Sequence, residues 1–219
     1  MRKIVFAKSA FYKFRQYFKL SLATMIIIAF LKIFILDFYW IPSVSMEPTL
    51  LRGDHVVALK IVYGLFFKIT PSRGDIVALN LPKDPSLYVK RVVALPNETL
   101  NIKSSDLIIN NKKVKKIYDT DASKYKYIEA ENVVLREFTD KKNYSVMQSN
   151  VQRMKDFITP YKNTSSTLFL LGDNRTNSID SRNWGSIDKN KIISKVVFIW
   201  MSIDPETRKI RWDRIGLVR

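Results

Sequence analysis

Three short stretches of this 219-residue chain bring together residue types able to do chemistry. The first reads Ile41-Pro42-Ser43-Val44-Ser45-Met46-Glu47-Pro48-Thr49-Leu50. Pro42 and Pro48 flank Ser45 at three positions either side and restrict the backbone there. The hydroxyls of Ser43 and Ser45, two residues apart, can address one small volume. Such a hydroxyl becomes a useful nucleophile only when a base takes its proton. The second stretch, Leu87-Tyr88-Val89-Lys90-Arg91-Val92-Val93-Ala94-Leu95, reads as a strand. Alternation puts Lys90 on one face with Tyr88, Val92 and Ala94, and Arg91 on the other with Val89, Val93 and Leu95. Both faces are otherwise apolar, so at least one cation meets apolar surface. A buried Arg stays charged and needs a carboxylate, whereas a buried Lys can lose its proton and act as a base. The third stretch runs Gly172-Asp173-Asn174-Arg175-Thr176-Asn177-Ser178-Ile179-Asp180-Ser181-Arg182 and on to Trp184-Gly185. Its Asp, Asn and Ser content resembles a calcium loop. It lacks the EF-hand order and the closing bidentate Glu, and it holds two arginines, which argues against a metal site. Taken singly, each stretch also fits a plain role: a linker turn, a strand end with snorkelling cations, a turn stitched by Asp–Arg pairs.

Composition removes other chemistries. There is no cysteine, hence no disulfide, no thiolate metal ligand and no Cys nucleophile. A single histidine, His55, argues against a His-rich metal centre and leaves one candidate for a His-based triad. His55 reads as an ordinary strand-edge residue. No residue pattern calls for a cofactor.

The elements that must hold these stretches come next. The net charge is +17, and six of those charges (Arg2, Lys3, Lys8, Lys13, Arg15, Lys19) fall within residues 1–19, which hold no acid. That balance suggests an anionic partner, a membrane surface or nucleic acid. Residues 20–36 are apolar except for Ser21, Thr24 and Lys32, and Asp37, Phe38, Tyr39 and Trp40 follow. The run reads as an uncleaved membrane anchor over 20–39, with Tyr39 and Trp40 in the interfacial aromatic belt and Lys32 snorkelling outward. The basic tail 1–19 then lies in the cytoplasm and residues 40–219 on the outer face. No A-x-A-like exit marks a cleaved leader. Beyond residue 50, apolar runs at His55–Val62, Asp75–Leu81, Leu87–Leu95, Leu107–Ile109, Thr167–Leu171, Ile192–Met201 and Lys209–Trp212 alternate with Gly, Pro, Asn and Asp turns. That is a mostly β, antiparallel pattern. Asn110-Asn111 reads as a hairpin turn, with Lys112, Lys113, Lys115 and Lys116 on a solvated strand edge. Residues 100–165 are more polar and read as a variable β insert.

Together the three stretches resemble the bacterial type I signal peptidases, the membrane-bound leader peptidases. That family's PSxSMxPTL segment matches Pro42–Leu50, and its RGDIV segment matches Arg73-Gly74-Asp75-Ile76-Val77. Its Tyr-x-Lys-Arg-Val segment matches Tyr88–Val92, and GDNRxxSxDSR is complete at Gly172–Arg182. The matches cover the anchor and most of 38–100 and 165–202, in the family's order. The resemblance implies a serine endopeptidase with Ser45 as nucleophile and Lys90 as general base. It implies an oxyanion hole from the Ser45 amide and the Ser43 hydroxyl, and Ser178 orienting the lysine. Asp180 and Arg182 become a structural ion pair, and Asp173 a partner for Arg91. The implied fold is an SH3-like catalytic barrel with a small β-ribbon insert. The implied partners are signal peptides with small residues at −1 and −3, membrane phospholipid and a nearby secretion translocon, at the bacterial inner membrane, with no nucleic acid. Two departures stand out. Val44 replaces the Gly frequent between the two serines, and Ala94 and Asn97 stand where Gly is common. Asn97 can keep a turn, since Asn tolerates positive φ. The alternatives are a catalytically impaired relative, on account of Val44, or an anchored basic β module that binds anionic lipid or nucleic acid.

Overall fold

The computed structural model describes residues 2–60, 69–81, 84–129, 131–150, 154 and 159–218. It opens with one long helix, α1 (Arg2–Phe34). Within it Lys13–Phe34 is long and apolar enough to cross a membrane, with mean hydropathy 1.8 and none of it buried against protein. Met25, Ile26, Ile27, Ile28 and Phe30 all stand exposed, so the helix is apolar around its circumference with nothing of its own to cover it. Its polar side chains bond back to the helix: Ser21 Oγ donates to Phe18 O and Thr24 Oγ1 to Leu20 O, both at 2.9 Å. This is how a helix suited to lipid satisfies its polar groups.

The chain continues through β1 (Leu36–Trp40), β2 (Asp54–Leu59), β3 (Ile76–Leu81), β4 (Asp84–Ala94), β5 (Thr99–Lys103), β6 (Asp106–Ile109), β7 (Lys112–Lys113) and β8 (Lys115–Tyr118). After these come β9 (Asn132–Phe138), β10 (Asn143–Ser149), β11 (Tyr161–Lys162) and β12 (Thr167–Leu171). A one-turn helix, α2 (Ser181–Trp184), precedes β13 (Ile187–Asp188), β14 (Ile192–Ser202) and β15 (Gly216–Leu217). The main sheet runs β1-β2-β14-β3-β4-β12-β13, with β15 paired to β14. Among the described residues this path is open. Two smaller sheets, β11-β5-β6-β7 and β10-β9-β8, cover residues 99–162. All strand pairs are antiparallel.

The core follows from the alternation of the strands. Val77, Leu79, Val92, Leu168 and Leu170 form one buried cluster across β3, β4 and β12. Ile41, Met46, Leu50, Val56, Ala58 and Val196 form a second beneath the loop that leaves β1. Both flank the stretch that carries the serines.

Several expectations change. The anchor does not extend to residue 39. The helix ends at Phe34, and Leu36–Trp40 pairs residue for residue with β2, from Leu36 opposite Leu59 to Trp40 opposite His55. Aromatic residues favour a pleated, half-buried surface as readily as an interface, and Tyr39 turns its hydroxyl to Asp37 and Ser194 at 2.8 and 2.9 Å. Only Phe38 and Trp40 remain exposed. The junction is clamped by Lys60, whose Nζ donates to the last helix carbonyls, Lys32 O at 3.2 Å and Ile33 O at 3.5 Å, and pairs with Asp37 at 2.9 Å. A cation at a helix C-terminus is the favoured sign.

His55 lies on an inner strand, between β1 and β14, with its ring 5.6 Å from Trp200. The expected strand His55–Val62 is β2, ending at Leu59, and residues 61–62 lie outside the described residues. Lys209–Trp212 is not a strand: only Ile203 and Ile210 bridge, and a 3₁₀ turn starts at Trp212. There Arg211 is buried, its amide donates to Ser202 O at 2.9 Å, and its guanidinium goes to Ser202 Oγ at 2.8 Å and Arg52 O at 2.6 Å. The region read as a small ribbon holds two sheets. Its lysines divide between them, Lys112–Lys113 on the edge of one and Lys115–Lys116 on the edge of the other. Asn110 and Asn111 take φ of 49° and 63°, as a two-residue hairpin requires, and Asn97 holds φ 64°.

Candidate active site

The loop between β1 and β2 carries Ser43 and Ser45. It closes on itself where Gly53 N donates to Ile41 O at 2.8 Å and Ile41 N to Asp54 O at 2.9 Å. Gly53 sits at φ +92°, and a Cβ there would fall 2.0 Å from Ile203 O, so only glycine lets the loop close against the chain just past β14. Met46 and Leu50, buried at 1% and 0% exposure, pin the loop into the core and leave Ser45 facing a cleft.

Lys90 reaches that cleft from β4, where it pairs with Val77. Its Nζ lies 2.6 Å from Ser45 Oγ. The side chain is buried, at 3% exposure. Burial pushes its ammonium down to about 8, against the opposing charges of Asp180 and Asp173. An amine so placed is neutral in a useful fraction of molecules near neutral pH, and neutral lysine accepts a proton. Ser43 Oγ stands 3.2 Å from Ser45 Oγ, and among the described residues the Ser45 amide has no hydrogen-bond partner.

Arg91, the neighbour on the opposite face, stays charged. Asp173 takes its Nε and a terminal nitrogen at 2.7 and 2.6 Å, and the ring of Tyr144 lies 4.1 Å from the guanidinium. Both partners are buried, and the carboxylate favours the charged arginine where burial alone would not. Asp180 binds Arg182 at 2.8 and 2.7 Å, accepts the Gly172 amide at 2.9 Å and caps α2 in a capping box with Asn183. Both ion pairs are made in the structure.

Ser178 lines the same cleft as Lys90, and among the described residues its buried Oγ has no hydrogen-bond partner. It packs instead over Gly172, where a Cβ would fall 2.2 Å from Ser178 Oγ and 2.4 Å from Ser45 O. The bare Cα of Gly172 therefore lets the Ser178 loop and the Ser45 loop touch.

Three contributors were missed. Asn174 holds the serine loop from behind, its amide donating to Ser45 O at 3.1 Å and its Nδ2 to Val44 O at 3.2 Å. Thr49 Oγ1 donates to Asp173 at 2.5 Å. Glu137 of β9 binds Arg175. Asn174 and Thr49 lie inside the matched segments, so the motifs themselves were the signal; Glu137 lies in a stretch with no such signal.

The cleft has a volume of about 530 Å³ and is walled by Trp40, Met46, Leu87, Tyr88 and Ile179, with Ser43, Ser45, Ser86, Lys90, Asn177 and Ser178 among its polar lining. Val44 stands on its rim, half-buried, and also lines a more polar neighbouring cavity. Among the described residues no cluster of three metal-ligating side chains forms. A largely apolar groove in which serine hydroxyls, one readily neutralised amine and an unspent backbone amide converge has the groups that acyl transfer needs.

A mostly antiparallel β body follows an apolar N-terminal helix, and a serine hydroxyl meets a buried lysine in its cleft. The family model described as signal peptidase, peptidase S26 matches residues 14–201, and the chain belongs to that family. It is therefore a hydrolase of the S26 serine peptidases. Signal peptidase I of Buchnera aphidicola subsp. Baizongia pistaciae is 31% identical over 88% of this chain and 79% of its own length. Signal peptidase I P of Bacillus subtilis subsp. natto is 30% identical over 86% of this chain and 90% of its own. Among solved structures, a signal peptidase I from Enterococcus faecalis aligns with a TM-score of 0.35 and 22% identity, over 58% of this chain and 97% of that one.

Proposed function

We propose that this protein is a membrane-anchored endopeptidase that cleaves signal peptides from exported preproteins, with Ser45 as nucleophile and Lys90 as general base. The observation that carries the reading is the 2.6 Å contact between Lys90 Nζ and Ser45 Oγ, on a lysine that burial has made easy to deprotonate. Neutral Lys90 takes the Ser45 proton as Oγ attacks the carbonyl of the residue at −1. The Ser45 amide and the Ser43 hydroxyl, swung off Ser45 Oγ, stabilise the oxyanion as it forms. The new ammonium then protonates the leaving amine of the mature chain. A water, deprotonated by Lys90, hydrolyses the acyl-enzyme in the same way. Ser178, above Gly172, is positioned to receive the Lys90 ammonium when the proton arrives. Arg91–Asp173 and Asp180–Arg182 hold the floor.

The largely apolar cleft suits small apolar residues at −1 and −3. Residues 1–19 form the cytoplasmic tail, the helix through Phe34 the anchor, and the remainder a catalytic domain on the outer face of the bacterial inner membrane, with 100–165 as a variable insert. The positive charge before the span sets that orientation. It places Ser45 beside the lipid and near the translocon, where cleavage sites emerge. Detergent-solubilised protein mixed with a preprotein tests the reading. Ser45→Ala and Lys90→Ala should each abolish processing with the fold intact, and the double variant should be no worse than either. Processing by Ser45→Ala overturns it.

A further inference from the structure

The Gly172–Asn177 loop is held on two sides. Towards the cleft, Asn174 grips the carbonyls of Val44 and Ser45. On the far side lies the β10-β9-β8 sheet. The Met147 amide donates to Asp173 O and the Arg175 amide to Met147 O, both at 2.8 Å, a single parallel bridge beside Asn174. The Ser149 amide adds a bond to Thr176 Oγ1 at 3.0 Å. At the centre Arg175, with 0% exposure, gives its two terminal nitrogens to the carboxylate of Glu137 at 2.5 and 2.7 Å, and its Nε to Gly172 O at 3.1 Å. Glu137 is itself 2% exposed.

A buried ion pair is a poor way to gain stability. Two charges lose their water, and well-packed apolar residues of similar size often serve as well or better. A bidentate fork does what an apolar contact cannot: it fixes register and orientation. Here the register being fixed is that of the loop whose Asn174 bonds Val44 and Ser45 and whose Ser178 lines the cleft with Lys90.

We propose that Glu137 is a positioning residue for the reaction. By gripping Arg175 it seats the Gly172–Ser178 loop against the Ser45 loop, so the small sheet sets the geometry of the Ser45–Lys90 pair from outside the cleft. Glu137 touches neither substrate nor the reacting atoms and acts only through Arg175. The inference rests on Ser45 and Lys90 being the catalytic pair.

The full-length protein in detergent, with a fluorogenic signal-peptide substrate, provides the test. Wild type, Ser45→Ala, Glu137→Asp, Glu137→Gln and the double variant Glu137→Leu/Arg175→Met are compared for melting temperature, kcat, KM and pH profile. The double variant should melt at or above wild type, because the desolvation cost is gone. Its kcat should nevertheless be ~10–100-fold lower with KM nearly unchanged, the scale of a sub-ångström to ångström misplacement. The acid limb of its profile should move to higher pH, as a loosened roof lets water reach Lys90. Glu137→Asp, which keeps the charge on a shorter arm, should recover part of the loss seen in Glu137→Gln. A stable double variant with wild-type kcat and pH profile overturns the proposal. If the double variant does not fold, Glu137→Gln decides: wild-type kcat per folded molecule overturns it equally. A wild type no more active than Ser45→Ala would instead overturn the catalytic reading, and this inference with it.

Discussion

Replacing Lys90 by Met should make the protein more stable while it destroys activity. The native state keeps an amine at 3% exposure whose pKa burial lowers from 10.5 to about 8. The gap between folded and unfolded values is worth ~1.4 kcal/mol for each pKa unit, so the amine costs the native state about 3 kcal/mol at neutral pH. The hydrogen bond to Ser45 Oγ that Met cannot make returns about 1 kcal/mol of that. The expected net gain is about 2 kcal/mol, or ~4–8 °C in melting temperature for a chain of this size. The sign follows the protons. Between about 8 and 10.5 the native state binds fewer protons at Lys90 than the unfolded chain does, so wild-type stability rises with pH there. Below about 8 the penalty is complete. Lys90→Met should therefore gain its full advantage at pH 7 and lose it as the pH approaches 10.5. Urea unfolding of the detergent-solubilised protein, followed by tryptophan fluorescence at pH 7 and pH 10, measures both. A Lys90→Met protein no more stable than wild type at pH 7, or one whose advantage is the same at both pH values, refutes the reasoning.

In wild type, kcat/KM for a signal-peptide substrate should rise about tenfold per pH unit up to about 8 and then level, since only neutral Lys90 is competent; a flat profile between pH 6 and 8 would count against Lys90 as base. Gly172→Ala must push Ser178 and the Ser45 carbonyl aside, because its Cβ would lie 2.2 Å from Ser178 Oγ and 2.4 Å from Ser45 O. It should lose ~10²-fold or more in kcat with a melting temperature several degrees lower, and wild-type turnover would show that the two loops need not touch. Ser178→Ala deletes a buried hydroxyl with no partner among the described residues, so its stability should hold or rise while kcat falls and the acid limb moves. A clear loss of stability in that variant would mean that the hydroxyl is bonded in the resting protein.

What could be read ahead of the structure was local. Lys90 and Arg91 sit in one apolar strand, and strand alternation alone sends them to opposite faces; their separate roles come only with the resemblance. Asp180 and Arg182 pair within a turn, and Asn110-Asn111 announces its own hairpin. The rest depends on partners far along the chain. Glu137 is one charged residue in a polar region until β9 carries it beneath Arg175. Tyr144 is one tyrosine of ten until it lies over Arg91. Leu36–Tyr39 reads as the end of the anchor because an apolar run supports helix or strand equally, and only its pairing with β2 decides. Lys209–Trp212 has strand-like residues, but the buried hydrogen bonds of Arg211 shape that segment.

The Lys60 clamp at the foot of the helix turns the anchor into a ruler. With Lys60 holding the last helix carbonyls and Asp37, and β1 leading straight into the main sheet, little slack separates the lipid from Ser45. In the proposed orientation the nucleophile then patrols one thin slab of space just above the bilayer. On that proposed reading a bond is cut when a preprotein's own apolar segment, held in the same bilayer, delivers it to that height. Enzyme and substrate would then search for each other in two dimensions, and apolar segments of the wrong length would be screened out before any side chain in the cleft is consulted.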